Sequence, residues 1–224
     1  MSKALHETRK SLDDARARHE ACLVSFSGGK DSLAVLDLCS RTFERVECFF
    51  MYFVPGLECV ERQLEYARKR WGVIIRQYPH WVLADVIHNG TFGKDWVGYE
   101  DVPIIELSDI HAMAREESGI ALIATGAKKT DSLWRRRMLQ AQGKAGETLI
   151  YPVVEWKKLD VLAYLSAHKI PKPDSSGRNA TGIDLSAPSL LWLHDTYPDD
   201  FKRLCELFPF AEAVVWRRTF HAVA

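Results

Sequence analysis

Along the chain, short apolar runs alternate with stretches whose apolar residues recur at helical spacing, and turn residues mark most of the changes. Ala21–Phe26 reads as a short, mostly apolar strand, and Asp31–Ser40 as a helix with Leu33, Leu36 and Leu38 turned inward. Val46–Phe53 ("VECFFMYF") is apolar and aromatic enough for a central strand. Pro55-Gly56 turns the chain into a helix over Glu58–Trp71, with Val60, Leu64 and Ala67 on one stripe. Gly72–Gln77 reads as a third strand, followed by a loop-rich stretch to about Glu106. Ser108 is placed to cap a helix over Asp109–Glu117, and "GIALIATG" (119–126) is a fourth strand ending in glycine. "LIYPVV" (149–154) is a fifth, and Lys157–His168 a helix with Leu159, Leu162 and Leu165 spaced by three. From Pro171 the pattern changes: "PKPDSSGRNATG" is a turn-rich loop, and two short helices follow, entered through Pro188 and Pro198.

Strands that are apolar throughout and alternate with helices imply a parallel sheet covered on both faces. The expected fold is therefore α/β and Rossmann-like: a five-stranded, mainly parallel sheet with helices on both faces. Residues 1–170 would form this domain, with an amino-terminal helix in 1–20. Residues 171–224 would add a loop and a small helical extension packed on the same domain.

Charge removes some partners. Thirty basic residues balance thirty acidic ones among 224. The bulk electrostatic case for nucleic acid is gone, although a local basic patch keeps that question open. No apolar run approaches the roughly 20 residues that span a bilayer, so no membrane is expected. Met1–Glu20 is charged and has no apolar signal core, which points to the cytoplasm. Cys22, Cys39, Cys48, Cys59 and Cys205 show no CxxC and no Cys/His cluster at metal spacing. They read as reduced core thiols, with neither zinc nor an iron–sulfur cluster expected.

The stretch "LVSFSGGKDSLAVLDL" (23–38) carries the chemistry. In an open parallel sheet, ligands sit beyond the carboxyl ends of the strands, so Ser27-Gly28-Gly29-Lys30-Asp31-Ser32 lies on that rim and opens a helix. Glycines let backbone amides approach an anion, and the helix N-terminus adds partial positive charge. Lys30 supplies a point charge for phosphate, while Asp31 caps the helix or holds a magnesium ion. The loop is neither GxxxxGK[ST] nor GxGxxG. A second concentration of charge, "KKTDSLWRRR" (128–137), follows the strand ending at Gly126. It reads as a solvated helix face or as a set that sends Lys128 and Arg135 into the pocket.

The SGGKDS loop resembles the PP-loop of the adenine-nucleotide alpha-hydrolase superfamily. Within it, the chain is most similar to the phosphoadenosine-phosphosulfate (PAPS) reductase-like family. "GAKKTDSLWR" (126–135) resembles that family's GxRxxESxxR motif: Lys128 stands for Arg, Asp131 for Glu, and Ser132 and Arg135 match. "PVVEWKKLDVLAYLSAHKIP" (152–171) resembles a third, architectural run. The resemblance spans roughly residues 20–175 and implies a HUP-type fold. It also implies a nucleotide site made of Ser25, Ser27, Gly28, Gly29, Lys30, Asp31, Ser32, Tyr52, Gly126, Lys128 and Ser132. Lys30, Asp31 and Arg135 would be catalytic, with Mg²⁺ at Asp31. The family's reductases use a cysteine near the C-terminus, whereas this chain ends "PFAEAVVWRRTFHAVA", with no cysteine after Cys205.

Three functional classes follow. The first is an ATP pyrophosphatase that adenylates a second substrate and releases pyrophosphate. The second is a PAPS (sulfonucleotide) reductase, and the third a nucleotide-binding subunit of a larger complex; a homo-oligomer or a complex partner stays open for each. The partners implied are an adenine nucleotide (ATP, or PAPS in the second class) and an acceptor. The loops 78–106 and 172–187 carry no pattern that names that acceptor.

Overall fold

The structure, a computed structural model, describes residues 3–88, 101–141, 148–173 and 185–221. Its strands are β1 (Ala21–Ser25), β2 (Arg45–Tyr52), β3 (Ile75–Pro79), β4 (Ile123–Thr125) and β5 (Leu149–Ile150). All pair in parallel, in the order β3-β2-β1-β4-β5. The chain builds outward from β1 through β2 to β3, then crosses back to place β4 on the other side of β1. That reversal opens a crevice between the carboxyl ends of β1 and β4.

Side-chain alternation explains why the strands read as continuous apolar runs. Cys22 and Val24 of β1 join Cys48, Phe50 and Ala124 in a core beneath α1 (Lys3–Arg16), α2 (Lys30–Ser40), α3 (Glu58–Trp71) and α7 (Lys158–Ala167). Leu23, Phe49 and Ile123 point to the other face, where α5 (Leu107–Ser118) covers them with Ile110 and Ala114. Helix α2 is buried over nearly its whole length. Its one mid-helix carboxylate, Asp37, accepts hydrogen bonds from Arg41 Nε (2.7 Å), Trp71 Nε1 (3.0 Å) and Tyr164 Oη (2.7 Å). Burial pushes the Asp37 carboxyl up, and these donors together hold it below its ordinary value.

Several elements depart from expectation for local reasons. Gly72 does not start β3; it ends α3 in the left-handed conformation (φ 66°), as glycine does at a helix terminus. Helix α5 is entered through Glu106, whose backbone N–H donates to Asp109 Oδ2 at 2.8 Å, and Ser108 lies inside it. The stretch after β3 contains α4 (Val82–His88), and β5 stops at Ile150, where the chain turns. In α7 the inward residues are Val161, Tyr164 and Leu165, and Leu159 is 77 % exposed. A spacing of three drifts around a helix of 3.6 residues per turn, so Leu159 cannot share a face with Leu165. Positions 89–100 and 174–184 of the two loops expected to meet the acceptor lie outside the described residues. No helix among the described residues is long and apolar enough to cross a membrane.

Among the described residues, the carboxy-terminal part has three helices, α8 (Ala187–Thr196), α9 (Pro198–Leu207) and α10 (Ala211–His221). Leu190, Leu193, Phe201, Leu204 and Phe208 pack against Val54, Leu57 and Cys59, which join β2 to α3. Asp200, buried, accepts the backbone N–H groups of Glu58 (2.8 Å) and Cys59 (2.9 Å), the first turn of α3. Arg203 adds hydrogen bonds to the carbonyls of Gly56 and Pro55. One carboxylate thus caps a helix of the sheet domain from the carboxy-terminal helices. Asp200→Ala should leave two amides without an acceptor and cost about 2–4 kcal/mol in urea denaturation. A loss under about 0.5 kcal/mol, the range of featureless surface changes, would mean that apolar contact alone holds these helices.

Candidate functional site

The loop leaves β1 in register, with the Phe26 N–H donating to the Phe49 carbonyl at 2.9 Å. Ser25 ends the strand, half-buried, and Ser27 is exposed. Gly28 has φ +71°, and a Cβ there would collide with the side-chain oxygen of Gln63 on α3. Gly28 is therefore fixed twice, by backbone conformation and by close approach. Gly29 has ordinary extended angles (φ −76°, ψ 163°) at the N-cap of α2, where no side chain caps the helix. Hydroxyls brace the turn instead: Ser32 Oγ donates to the Gly29 carbonyl (2.9 Å), and the Gly29 N–H donates to Ser27 Oγ (3.4 Å). The first-turn amides of α2 thus remain available to an anion at the positive end of the helix dipole.

Across the crevice, Gly126 follows β4 so closely that a Cβ would lie 3.2 Å from the Asp31 backbone carbon and 3.3 Å from the Ser32 nitrogen. This approach brings the two motifs together. Lys30 and Lys128 are 5 % and 3 % exposed, and both ammonium groups lie 2.7 Å from the same atom, Asp31 Oδ2. Lys128 also pairs with Asp131 Oδ1 at 3.0 Å, and its backbone N–H donates to Asp131 Oδ2. Buried ammonium groups need a counter-charge. Here two of them crowd onto one carboxylate oxygen while Asp31 Oδ1, also buried, has no hydrogen-bond partner. A polyanion entering the crevice would meet two positive charges that need only exchange one anion for another.

The remaining expected residues are placed less directly. Ser132 Oγ accepts the Arg135 N–H at 3.0 Å and so caps α6 (Leu133–Ala141). Arg135 sits half-buried in the first turn of α6 with no side-chain partner among the described residues, while Arg136 and Arg137 are exposed. Lys129 pairs with Glu155, and Thr130 Oγ1 donates to the Trp156 carbonyl at 3.1 Å, pinning the loop that carries Lys128. Tyr52, the last residue of β2, packs its side chain against the α2 face of the core, and its carbonyl accepts the His80 N–H at 2.8 Å. Beside it, Phe53 stacks on His80 (centroids 4.5 Å apart, planes at 16°) and His80 on Trp81. Sequence reasoning passed over this stack. Its signal was three aromatic residues at the ends of neighbouring strands.

One carboxylate oxygen without a partner suits magnesium, which commonly takes one or two protein carboxylates and fills its shell with phosphate and water. Asp31 Oδ1 fits that role. The thiols are less available. Cys22, Cys39, Cys48 and Cys59 are buried, Cys39 being raised by hydrogen bonding with Cys22 and by burial, Cys48 and Cys59 chiefly by burial. Cys205 is half-buried, and burial together with Glu212 pushes it up to about 11.

Comparison with solved structures finds similarity at low identity. The NH3-dependent NAD synthetase of Campylobacter jejuni subsp. jejuni NCTC 11168, in complex with nitrate, aligns over 98 % of this chain and 96 % of its own, at 13 % identity and TM-score 0.48. The U34-tRNA thiolase NcsA of Methanococcus maripaludis aligns over 95 % and 78 %, at 13 % identity and TM-score 0.50. The thiolase is described with its [4Fe-4S] cluster. The expectation that no iron–sulfur cluster is present is therefore withdrawn, because a fold of this kind accommodates one. The exclusion rested on cysteine spacing, and ligands that meet in space need not be neighbours in sequence. Among the described residues of this chain, no three His, Cys, Asp or Glu side chains converge as a metal ligand set. Comparison with curated proteins finds no match. Residues 21–174, which hold both crevice motifs and the sheet, match the phosphoadenosine phosphosulfate reductase domain, and the chain belongs to that family of PP-loop proteins.

Proposed function

We infer that the chain binds ATP in the crevice between β1 and β4 and transfers its adenylyl group to a second substrate. The observation that carries this reading is the pair of buried ammonium groups, Lys30 and Lys128, brought from opposite sides of the crevice onto one carboxylate at an uncapped helix N-terminus. In the reaction, a lone pair on the acceptor attacks the α-phosphorus and the bond from that phosphorus to the bridging oxygen breaks. The electron pair leaves with pyrophosphate, and the acceptor's proton passes to solvent. Such transfer rests on positioning and charge neutralisation rather than on a covalent catalyst.

Each residue has a role in this scheme. The amides of the first turn of α2, with Lys30, hold the pyrophosphate. Lys128 neutralises charge from the β4 side, Ser27 adds a hydroxyl donor, and Ser32 holds the turn by its bond to the Gly29 carbonyl. Arg135, without a partner of its own among the described residues, is the charge that meets the α-phosphate as it reacts. Asp31 would hold magnesium, and that ion would supply further neutralisation of charge on the leaving group. The end of β2, from Tyr52 to Val54, offers backbone edges to the adenine.

Sulfonucleotide reduction needs a thiolate as nucleophile, and the buried or raised thiols of the described residues disfavour one. Replacing Cys205 by Ala should leave adenylyl transfer, read as pyrophosphate release, within about twofold of the unmodified chain. Loss of turnover in that variant, with thiol-dependent sulfite release from PAPS by the unmodified chain, would overturn the reading in favour of a reductase.

The two kinds of charge should separate in titration. Lys30→Ala removes a charge-assisted contact worth about 1.5–3 kcal/mol and should weaken binding of a non-hydrolysable ATP analogue by tenfold or more, about the equivalent change. Gly28→Val should abolish that binding by forcing the turn open. Arg135→Ala should spare ground-state binding and lower the rate of pyrophosphate release. Turnover unchanged in Arg135→Ala would make the α6 basic run a solvated face.

A further inference from the structure

Helix α6 leaves the crevice at its rim: Lys128 and Asp131, just before it, belong to the site, and Ser132 caps it. Its own residues are of a different kind. Leu133–Ala141 ("LWRRRMLQA") holds three arginines and no acidic residue, whereas a merely solvated helix face usually interleaves both signs. Leu139 is buried and Met138 half-buried, so the helix packs by that side. The opposite side presents Leu133 (72 % exposed) and Trp134 (70 % exposed). Arg137 follows Trp134 by three positions and Leu133 by four, and Arg136 follows Leu133 by three. Two exposed apolar side chains and two exposed guanidinium groups therefore share one face.

A second segment joins that face. The loop before α6 is bonded to the approach to α7: the Lys129 N–H donates to the Val154 carbonyl (3.0 Å) and Thr130 Oγ1 to the Trp156 carbonyl (3.1 Å). These bonds place exposed Lys157, Lys158 and Leu159 next to the loop. The two lysines stand at the N-terminus of α7, the end of a helix that favours anions over cations. Residues 128–160 as a whole hold eight Lys and Arg against four Asp and Glu. In a chain where thirty balance thirty, that leaves twenty-two against twenty-six everywhere else. A neutral chain thus gathers its positive charge in the stretch that borders the crevice.

Two features select the partner. Cations gathered on one face call for a polyanion. An exposed tryptophan flanked by guanidinium groups suits an unpaired base, which stacks on the ring while the arginines meet the phosphates beside it. A duplex keeps its bases inside, and the loops and ends of folded RNA present them. We propose that the exposed face of α6, with the start of α7, binds single-stranded RNA. The strand runs along the rim of the crevice, and one of its nucleotides is the acceptor, supplying the lone pair that displaces pyrophosphate. The docking stands on charge and exposure alone; the role as acceptor rests on the adenylation reading.

The test is fluorescence anisotropy of a labelled, mixed-sequence single-stranded RNA of about twelve nucleotides, titrated with the full chain at several salt concentrations. The expected result is saturable binding that weakens as salt rises. It should be about tenfold tighter than binding to duplex DNA, and no weaker than binding to single-stranded DNA of the same sequence. Trp134→Ala should weaken it about tenfold, and Trp134→Phe should restore most of that loss. Replacing Arg136 and Arg137 together by Ala should flatten the slope of log affinity against log salt by about 1.4, the share of two phosphate contacts on a single strand. Both variants should keep their thermal midpoint and the ATP analogue, because these side chains are exposed and lie outside the crevice. Lys30→Ala should lose the analogue and keep the RNA. RNA bound by a chain that binds no ATP analogue would sink the adenylation reading and leave this surface standing. No saturable binding, or binding indifferent to Trp134→Ala and to the arginine pair, would overturn the proposal. So would tighter binding to either form of DNA, or polyglutamate bound as tightly as the RNA, which would make this an acidic-protein surface.

Discussion

Lys30 and Lys128 rest on one oxygen of Asp31, and the rest of the molecule is arranged so that they can. Two buried ammonium groups meet on that oxygen, with Asp131 as a second counter-charge for Lys128 alone, and the other oxygen of Asp31 goes unused. The arrangement makes sense as a site held ready for a stronger polyanion. It exists because strand order reverses at β1, so the segments after β1 and β4 face each other across the crevice. It needs Gly126, since any larger residue would press on the backbone of Asp31 and Ser32. It needs Gly28 as well, because the loop must turn against Gln63 before α2 can begin.

The carboxy-terminal helices belong to the same construction. They do not extend the sheet; they cover the β2–α3 junction, beside the strand end proposed for the adenine, and lock it through Asp200 and Arg203. Their apolar residues bury Val54, Leu57 and Cys59, which would otherwise face solvent beside the loop. A helical cover fixed to the first turn of α3 also forms one wall of a cavity that touches Gly28. Fold, nucleotide crevice and neighbouring cavity thus meet at one turn of the chain.

Much of this was legible in the sequence, and the exceptions have physical causes. Strands apolar on both faces announced a covered parallel sheet, and SGGKDS announced the PP-loop family, because each pattern has few alternatives. Leu159 misled because a leucine every third residue looks amphipathic over one turn and drifts off the face by two. Gly72 was ambiguous between ending a helix and starting a strand, and only the left-handed angle decides it. Helix α6 was legible only as one reading of a basic run, because it is mostly polar and basic, and α10 went unread because it leaves Trp216 and Phe220 exposed, so neither shows a clean apolar stripe. The contact of Lys128 with Asp31 depends on the order of the strands, which no local pattern encodes. Asp131, a shorter residue than the family's usual glutamate, turns back on Lys128, a pairing that spacing alone does not reveal.

The central claim is that Asp31 holds the two lysines in place of a nucleotide's phosphates. A crystal structure with Mg²⁺ and a non-hydrolysable ATP analogue tests it directly. The account predicts the pyrophosphate portion between the N-terminus of α2 and Lys128, with both ammonium groups drawn from Asp31 onto phosphate oxygens. Lysines still paired to Asp31, with the analogue bound elsewhere on the molecule, would contradict it.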